Sequence, residues 1–148
     1  MRAIDAIRRS GIGIEPQRNV RDAAVVMERS GVGSLAVIDG TQLLGIVTDR
    51  DLVRRVLACA LPSDSRIDGV MSSPVITIAA DADVHDAFAL FGTHGVRRLA
   101  VVRDEQFVGT ITVDDLLVDL AIDLGNLARP ISHEMLFAHH DAVLPTTA

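Results

Sequence analysis

The sequence predicts an α/β protein of two tandem β-α-β-β-α units related by a pseudo-two-fold axis. Three observations predict it. Residues 20–57 align with residues 84–121 without a gap, at a constant offset of 64. Thirteen of the 38 aligned pairs are identical, against about three expected for random pairing, among them Asp22/Asp86, Gly31/Gly95, Leu35/Leu99, Val37/Val101, Gly45/Gly109, Thr48/Thr112 and Asp51/Asp115. Within each copy the apolar pattern passes from extended to helical spacing, through two β-branched runs, and back to helical spacing. A duplicated unit also predicts two related clefts, so a site should come in two versions that can be compared.

Each element has its own warrant. The first strand is GIGI at residues 11–14, or VITI at residues 75–78, followed by the polar turns EPQRN and AADAD. Val20, Ala23, Ala24 and Met27 then form an apolar stripe at helical spacing, matched by Val84, Ala87, Phe88 and Phe91. Gly31 and Gly95 stand where a helix C-terminus belongs. LAVI-DGTQ-LLGIV and LAVV-RDEQ-FVGTI read as hairpins with four-residue turns. A second helix follows, from Asp49 to about Ala60 and from Val113 to about Leu124. The organisation expected is a first repeat over residues 1–61, a linker over 62–68, a second repeat over 69–124 and a C-terminal extension over 125–148. In that extension Met135, Leu136 and Phe137 are candidates to pack on the body or on a second subunit, and residues 145–148 are expected to fray.

Composition narrows the function classes. With 49% apolar residues there is material for a core, yet no apolar run approaches the 18 or so residues of a membrane span. The N-terminal segment has no apolar stretch of the secretory kind. Cys59 is the only cysteine, which fits a cytoplasmic protein without internal disulfides. A net charge of -6 with no Trp or Tyr argues against nucleic-acid binding. All 14 basic residues are arginines, planar forks suited to phosphate or carboxylate.

Several features lead nowhere. Gly11-Ile12-Gly13 lacks the rest of a dinucleotide fingerprint and is not a P-loop. His139, His140 and Asp141 could clip a metal, but adjacent side chains diverge and no ligand motif supports them, so no metal is expected. Cys59 reads as a small core residue rather than a nucleophile. No residue combination has the order of a catalytic triad, and no general base is evident. The chain is expected not to be an enzyme.

Thr48-Asp49-Arg50-Asp51 reads first as a capping box, with Thr48 bonding a backbone N–H and Asp51 favourable in the first helical turn. Taken together, the two copies resemble the cystathionine-β-synthase (CBS) domain pair, or Bateman module. The resemblance rests on GIVTDRDL (residues 45–52) and GTITVDDL (109–116), preceded by GVGSLAVID (31–39) and GVRRLAVVR (95–103), with DGVMSSPVITI (68–78) leading into the second copy. It covers about residues 2–124 and implies a regulatory module that binds an adenosine-containing ligand. The residues matching Asp51 and Asp115 hold a ribose in that family, and those matching Thr48 and Thr112 lie near the phosphate.

By the same resemblance, each cleft combines one copy's T-x-x-D with the first strand and the mid-repeat pair of the other. Site one would hold Thr48, Arg50, Asp51, Val75, Ile76, Thr77, Arg97 and Arg98. Site two would hold Ile12, Gly13, Ile14, Gly33, Ser34, Thr112, Asp114 and Asp115. Site one carries three arginines and site two none. A charge-assisted contact to phosphate is worth on the order of 1.5–3 kcal/mol, so the sites should differ widely in affinity. Site one is expected to take AMP, ADP or ATP. Site two is expected to be empty, structural, or open to an uncharged or cationic adenosyl compound such as S-adenosylmethionine. Arg97 and Arg98 also have the plain reading of exposed residues pairing with surface acids.

The expectation is a stand-alone, non-catalytic sensor that forms a homodimer through Leu116, Leu117, Leu120 and Leu124, requires no cofactor and acts on a separate protein partner. The alternative is an interaction scaffold whose clefts are vestigial and which docks a partner through its dimer surface or its C-terminal tail.

Overall fold

The computed structural model describes residues 1–8 and 10–137 of the 148. They divide into two units, residues 1–113 and 114–148. The first unit contains one six-stranded sheet in the order β1-β2-β3-β6-β5-β4. Its strands are β1 (Gly13–Ile14), β2 (Ser34–Asp39), β3 (Gln42–Thr48), β4 (Thr77–Ala79), β5 (Arg98–Arg103) and β6 (Gln106–Thr112). β1 runs parallel to β2 and β4 parallel to β5, while both hairpins are antiparallel. The halves join where Gln42 faces Gln106. These two residues are 64 apart, so the local two-fold of the sheet passes between a pair of repeat-mates. Each hairpin shifts register at the same place, Val37/Ile38 and Val101/Val102. The turns are tighter than four residues, because each strand extends one residue further than the apolar run at both ends. Asp104 and Glu105 absorb the resulting left-handed turn in copy two, at φ 49° and 63°.

Helix α1 (Val20–Ser30) begins with Asn19 Oδ1 accepting from the Asp22 N–H at 2.8 Å and ends at Gly31, whose φ of 62° suits glycine. Helix α3 (Val84–His94) is its counterpart, capped by Asp83 and closed by Gly95 at φ 61°. Val20, Ala23 and Met27 are buried as their spacing requires, but Ala24 is exposed. Val26 takes its place against the core, and the stripe tilts accordingly. Val84 and Ala87 are buried, with Phe88 and Phe91 half-buried.

The connection between the copies is built into the first copy's core. Ile67 and Val70 pack there with Ile14, Val20, Leu35, Val37, Val47 and Val56. The Ile67 N–H donates to Arg18 O, and the Val20 N–H donates to Ser65 O. Arg66 and Asp68 pair at 2.6 Å, and that guanidinium holds the Asp68 carboxyl below the usual carboxylate range. The N-terminus does the same for the second copy, where Ala3 and Ile4 donate to Ala82 O and Ala80 O and Met1 O accepts from Val84. Each half is therefore closed by the segment that precedes the other copy's first strand.

The two copies differ after the T-x-x-D. In copy one, α2 (Asp49–Asp51) widens at once into a π-helix over Leu52–Leu57, and Ala58 and Leu61 donate five residues back, to Val53 O and Val56 O. Cys59 beyond it is exposed, not a core residue, and its Sγ lies 3.4 Å from Arg54 O. In copy two the helix α4 runs from Val113 to Phe137, well past the expected end at Leu124. Gly125 does not stop it, because Leu127, Ala128 and Ile131 continue the helical sequence. Pro130 lies inside it, where the ring removes the bond to the carbonyl four residues back and crowds that carbonyl. Along α4 Leu116 is buried, so it cannot belong to the association surface expected of it, whereas Leu117, Leu120 and Leu124 are exposed. No helix among the described residues is long and apolar enough to cross a membrane. The expected packing of Met135, Leu136 and Phe137, the metal clip at His139, His140 and Asp141, and the fraying of 145–148 lie outside the described side chains.

Candidate ligand-binding cleft

The T-x-x-D of copy one forms both halves of the capping box. Thr48 Oγ1 accepts from the Asp51 N–H at 3.1 Å, and Asp51 Oδ2 accepts from the Thr48 N–H at 3.0 Å. The bond engages only one carboxylate oxygen. Asp51 Oδ1 lies 3.8 Å from Arg55 Nε, and the side chain keeps 16% of its surface accessible. Capping and ligand binding therefore need not compete, since one oxygen can fix the helix start while the other faces a donor.

A cleft of about 220 Å³ opens beside Thr48. Ile46 and Thr48 of β3 form one wall, Ser72, Pro74, Val75 and Ile76 a second, and Val96, Arg97 and Arg98 a third. Non-adjacent pairing assembles it: Ile46 and Ser72 exchange backbone hydrogen bonds of 3.0 and 2.8 Å, which lays the segment ahead of β4 across β3. Gly45 permits that approach. A Cβ there would stand 2.6 Å from Met71 Sδ and 2.8 Å from Ser72 O. Gly109 has the same role opposite Ile7, which explains why both copies carry glycine.

The structure places five of the eight residues of site one on this cleft, namely Thr48, Val75, Ile76, Arg97 and Arg98. Asp51 and Arg50 lie on the helical turn directly after Thr48 without lining it, and the Arg50 side chain is exposed. Thr77 lines a neighbouring cleft instead. Ile46, Ser72, Pro74 and Val96 also line the cleft. Their neighbours in sequence pointed to the site, but only the Ile46–Ser72 pairing brings them together.

Of site two, Ile12, Gly13, Ile14, Gly33, Ser34 and Thr112 belong to the unit 1–113, while Asp114 and Asp115 belong to 114–148. Gly13 and Ile14 line a shallow cleft with Glu15, Ile38 and Gly40. Ser34 pairs with Thr48 in the first hairpin, and Thr112 with Arg98 in the second. Gly33 adjoins Asp49 and the site-one residue Arg98: a Cβ on it would lie 3.1 Å from Asp49 Oδ2 and 3.7 Å from Arg98 Nη2.

A larger cleft, about 870 Å³, lies beside this one. It shares Pro74 and Val75, is otherwise lined by Ser73, Thr77 and residues at and beside the hairpin turns, and has Asp104 and Glu105 but no arginine on its lining. For an anionic ligand its charge has the wrong sign, so the smaller arginine-bearing cleft is the better candidate.

The family model of the CBS domain matches residues 4–58 and again residues 67–121. The chain belongs to the CBS domain family, as a tandem pair. This CBS pair is similar to the uncharacterized protein YlbB of Bacillus subtilis (strain 168), 38% identical over 100 residues that cover 66% of this chain and 68% of that one. A solved structure of an uncharacterized conserved protein from Pyrococcus horikoshii superposes on the CBS pair with a TM-score of 0.72 at 26% identity, covering 80% of this chain and 90% of that chain. A CBS domain protein from Pyrobaculum aerophilum complexed with AMP superposes with a TM-score of 0.72 at 23% identity, covering 82% and 99%. At that identity the likeness speaks for the fold.

Proposed function

We propose that this CBS pair is a non-catalytic regulatory module that binds an adenine nucleotide at the Thr48 cleft. The observation that carries this reading is the meeting of Thr48 from one copy with Val75, Ile76, Arg97 and Arg98 from the other in one cleft. Val75, Ile76, Ile46 and Val96 give a base an apolar seat. Asp51 Oδ1 offers an acceptor for ribose hydroxyls, and the two arginines on the lining carry the positive charge that attracts a phosphate. A volume of about 220 Å³ is below the ~300 Å³ at which small-ligand pockets usually begin, so the base and sugar would fill it and leave the phosphates at the arginine-bearing mouth. The AMP complex of the Pyrobaculum aerophilum protein supports the reading in a coarser way, as a case of this fold holding such a ligand. Because the cleft is made by both copies, occupancy can favour one relative packing of the two, which is what regulation requires.

A thermal-shift panel of AMP, ADP, ATP and S-adenosylmethionine tests the reading. A nucleotide present at 100 times its Kd should stabilise the fold by about 2.7 kcal/mol, an increase of several degrees in Tm. No shift with any of the four would leave the scaffold reading, which the exposed Leu117, Leu120, Leu124 and Leu127 of α4 favour.

A further inference from the structure

Arg55 occupies an unusual place behind the cleft. Its Nη1 donates to Val70 O at 2.8 Å and to Met71 O at 2.9 Å, while its Nε lies 3.8 Å from Asp51 Oδ1. One planar guanidinium thus joins the capping carboxylate of copy one to the chain leading into copy two. Met71 is followed by Ser72, which pairs with Ile46 and forms the cleft wall. Arg55 lies in the π-helical turn, and π-helical turns occur frequently at functional sites. The sequence repeat sharpens the observation. Asp119 stands at the position 64 residues on, and the helix there is regular α rather than π. The arrangement cannot be general scaffolding that both copies require.

We propose that Arg55 is a positioning residue of the nucleotide site, orienting Asp51 toward the ribose and fixing the Met71–Ser72 wall against it. This rests on the reading of the cleft as a nucleotide site. Arg55 touches no ligand itself. Its effect passes through Asp51 on one side and the backbone of Val70 and Met71 on the other. The fork geometry matters, because an ammonium is a point charge that cannot hold two carbonyls with one nitrogen and face a carboxylate with another. The same link makes Arg55 a route by which ribose occupancy is felt at the junction between the copies. Asp51 Oδ1 can accept from a ribose hydroxyl while Arg55 Nε stays beside it, since a carboxylate oxygen takes more than one donor.

The test is calorimetric titration of AMP and of 2′-deoxy-AMP into the wild-type chain, Arg55→Gln and Arg55→Lys, with Tm measured for each. The wild type should prefer AMP by roughly tenfold or more, as expected where a hydroxyl meets a charged acceptor. In Arg55→Gln the AMP affinity should fall about tenfold, the deoxy compound should change little, and the preference should shrink. Arg55→Lys should lie closer to Arg55→Gln than to the wild type, and it carries the test by the same two titrations if Arg55→Gln does not fold. A variant that keeps the wild-type preference overturns the proposal, whether its affinities are unchanged or both fall equally, since equal losses are what a merely structural residue gives. Failure of the wild type to bind AMP at all would instead remove the nucleotide reading, and the proposal with it.

Discussion

Asp51→Asn is expected to weaken AMP binding by about 10- to 100-fold while leaving the fold nearly as stable as the wild type. The two effects separate because the two carboxylate oxygens have different partners. Oδ2 closes the capping box on the Thr48 N–H at 3.0 Å, and the amide oxygen of asparagine can replace it there. What the substitution removes is the charge and the second acceptor, which the ribose would use. Asp51→Ala removes both roles, so it should add a stability loss of about 1 kcal/mol to the binding loss. Calorimetry for AMP and a denaturant titration for stability measure the two quantities independently. An Asp51→Asn protein that binds AMP as the wild type does would leave Asp51 as a helix cap and nothing more.

Gly45→Ala is expected to destabilise the protein by about 1–3 kcal/mol, which lowers Tm by several degrees, and to weaken nucleotide binding as well. A single methyl there would stand 2.6 Å from Met71 Sδ and 2.8 Å from the backbone oxygen of Ser72. The thioether can rotate away, but the carbonyl cannot move without breaking the Ile46–Ser72 pairing that forms the cleft wall. Gly92→Ala is the control. Nothing lies within 4 Å of that position, which is in α3, so alanine should leave stability unchanged or raise it by about 0.5–1 kcal/mol. Thermal melts of the two variants should therefore move in opposite directions, or one should move and the other not. A neutral Gly45→Ala would mean that the segment ahead of β4 is not held against β3 as described.

What the sequence makes legible is what lies within one turn of helix or one hairpin. The capping box from Thr48 to Asp51 spans four residues, and both hydrogen bonds form as the pattern requires. The hairpins and the glycine stops of α1 and α3 are local in the same sense. The duplication adds a longer range, because repeat-mates must occupy equivalent places, and the facing of Gln42 and Gln106 expresses this. Less legible is anything set by the crossing of distant segments. Gly45 and Gly109 are visible as a repeated pair, but the reason for them is the approach of Met71 and Ile7, which no periodicity encodes. Thr77 lies one residue beyond the Val75–Ile76 pair that lines the cleft and falls on the neighbouring cleft instead. The bridging role of Arg55 is invisible for a related reason: Asp51 is four residues away, but its carbonyl partners lie 15 and 16 residues away, at positions that depend on how Ile67 and Val70 enter the first copy's core. The continuation of α4 through Gly125 and Pro130 shows the converse, in which local stop signals are overridden by the helical residues that follow them.

The most direct measurement of the central claim is a crystal structure of the full chain grown with AMP. A nucleotide is expected in the cleft between Thr48, Ile76 and Arg98, with its ribose hydroxyls on Asp51 Oδ1 and its phosphate against Arg97 or Arg98. AMP in the acidic cleft beside Asp104 and Glu105, or in the Thr48 cleft with its ribose turned away from Asp51, would contradict it.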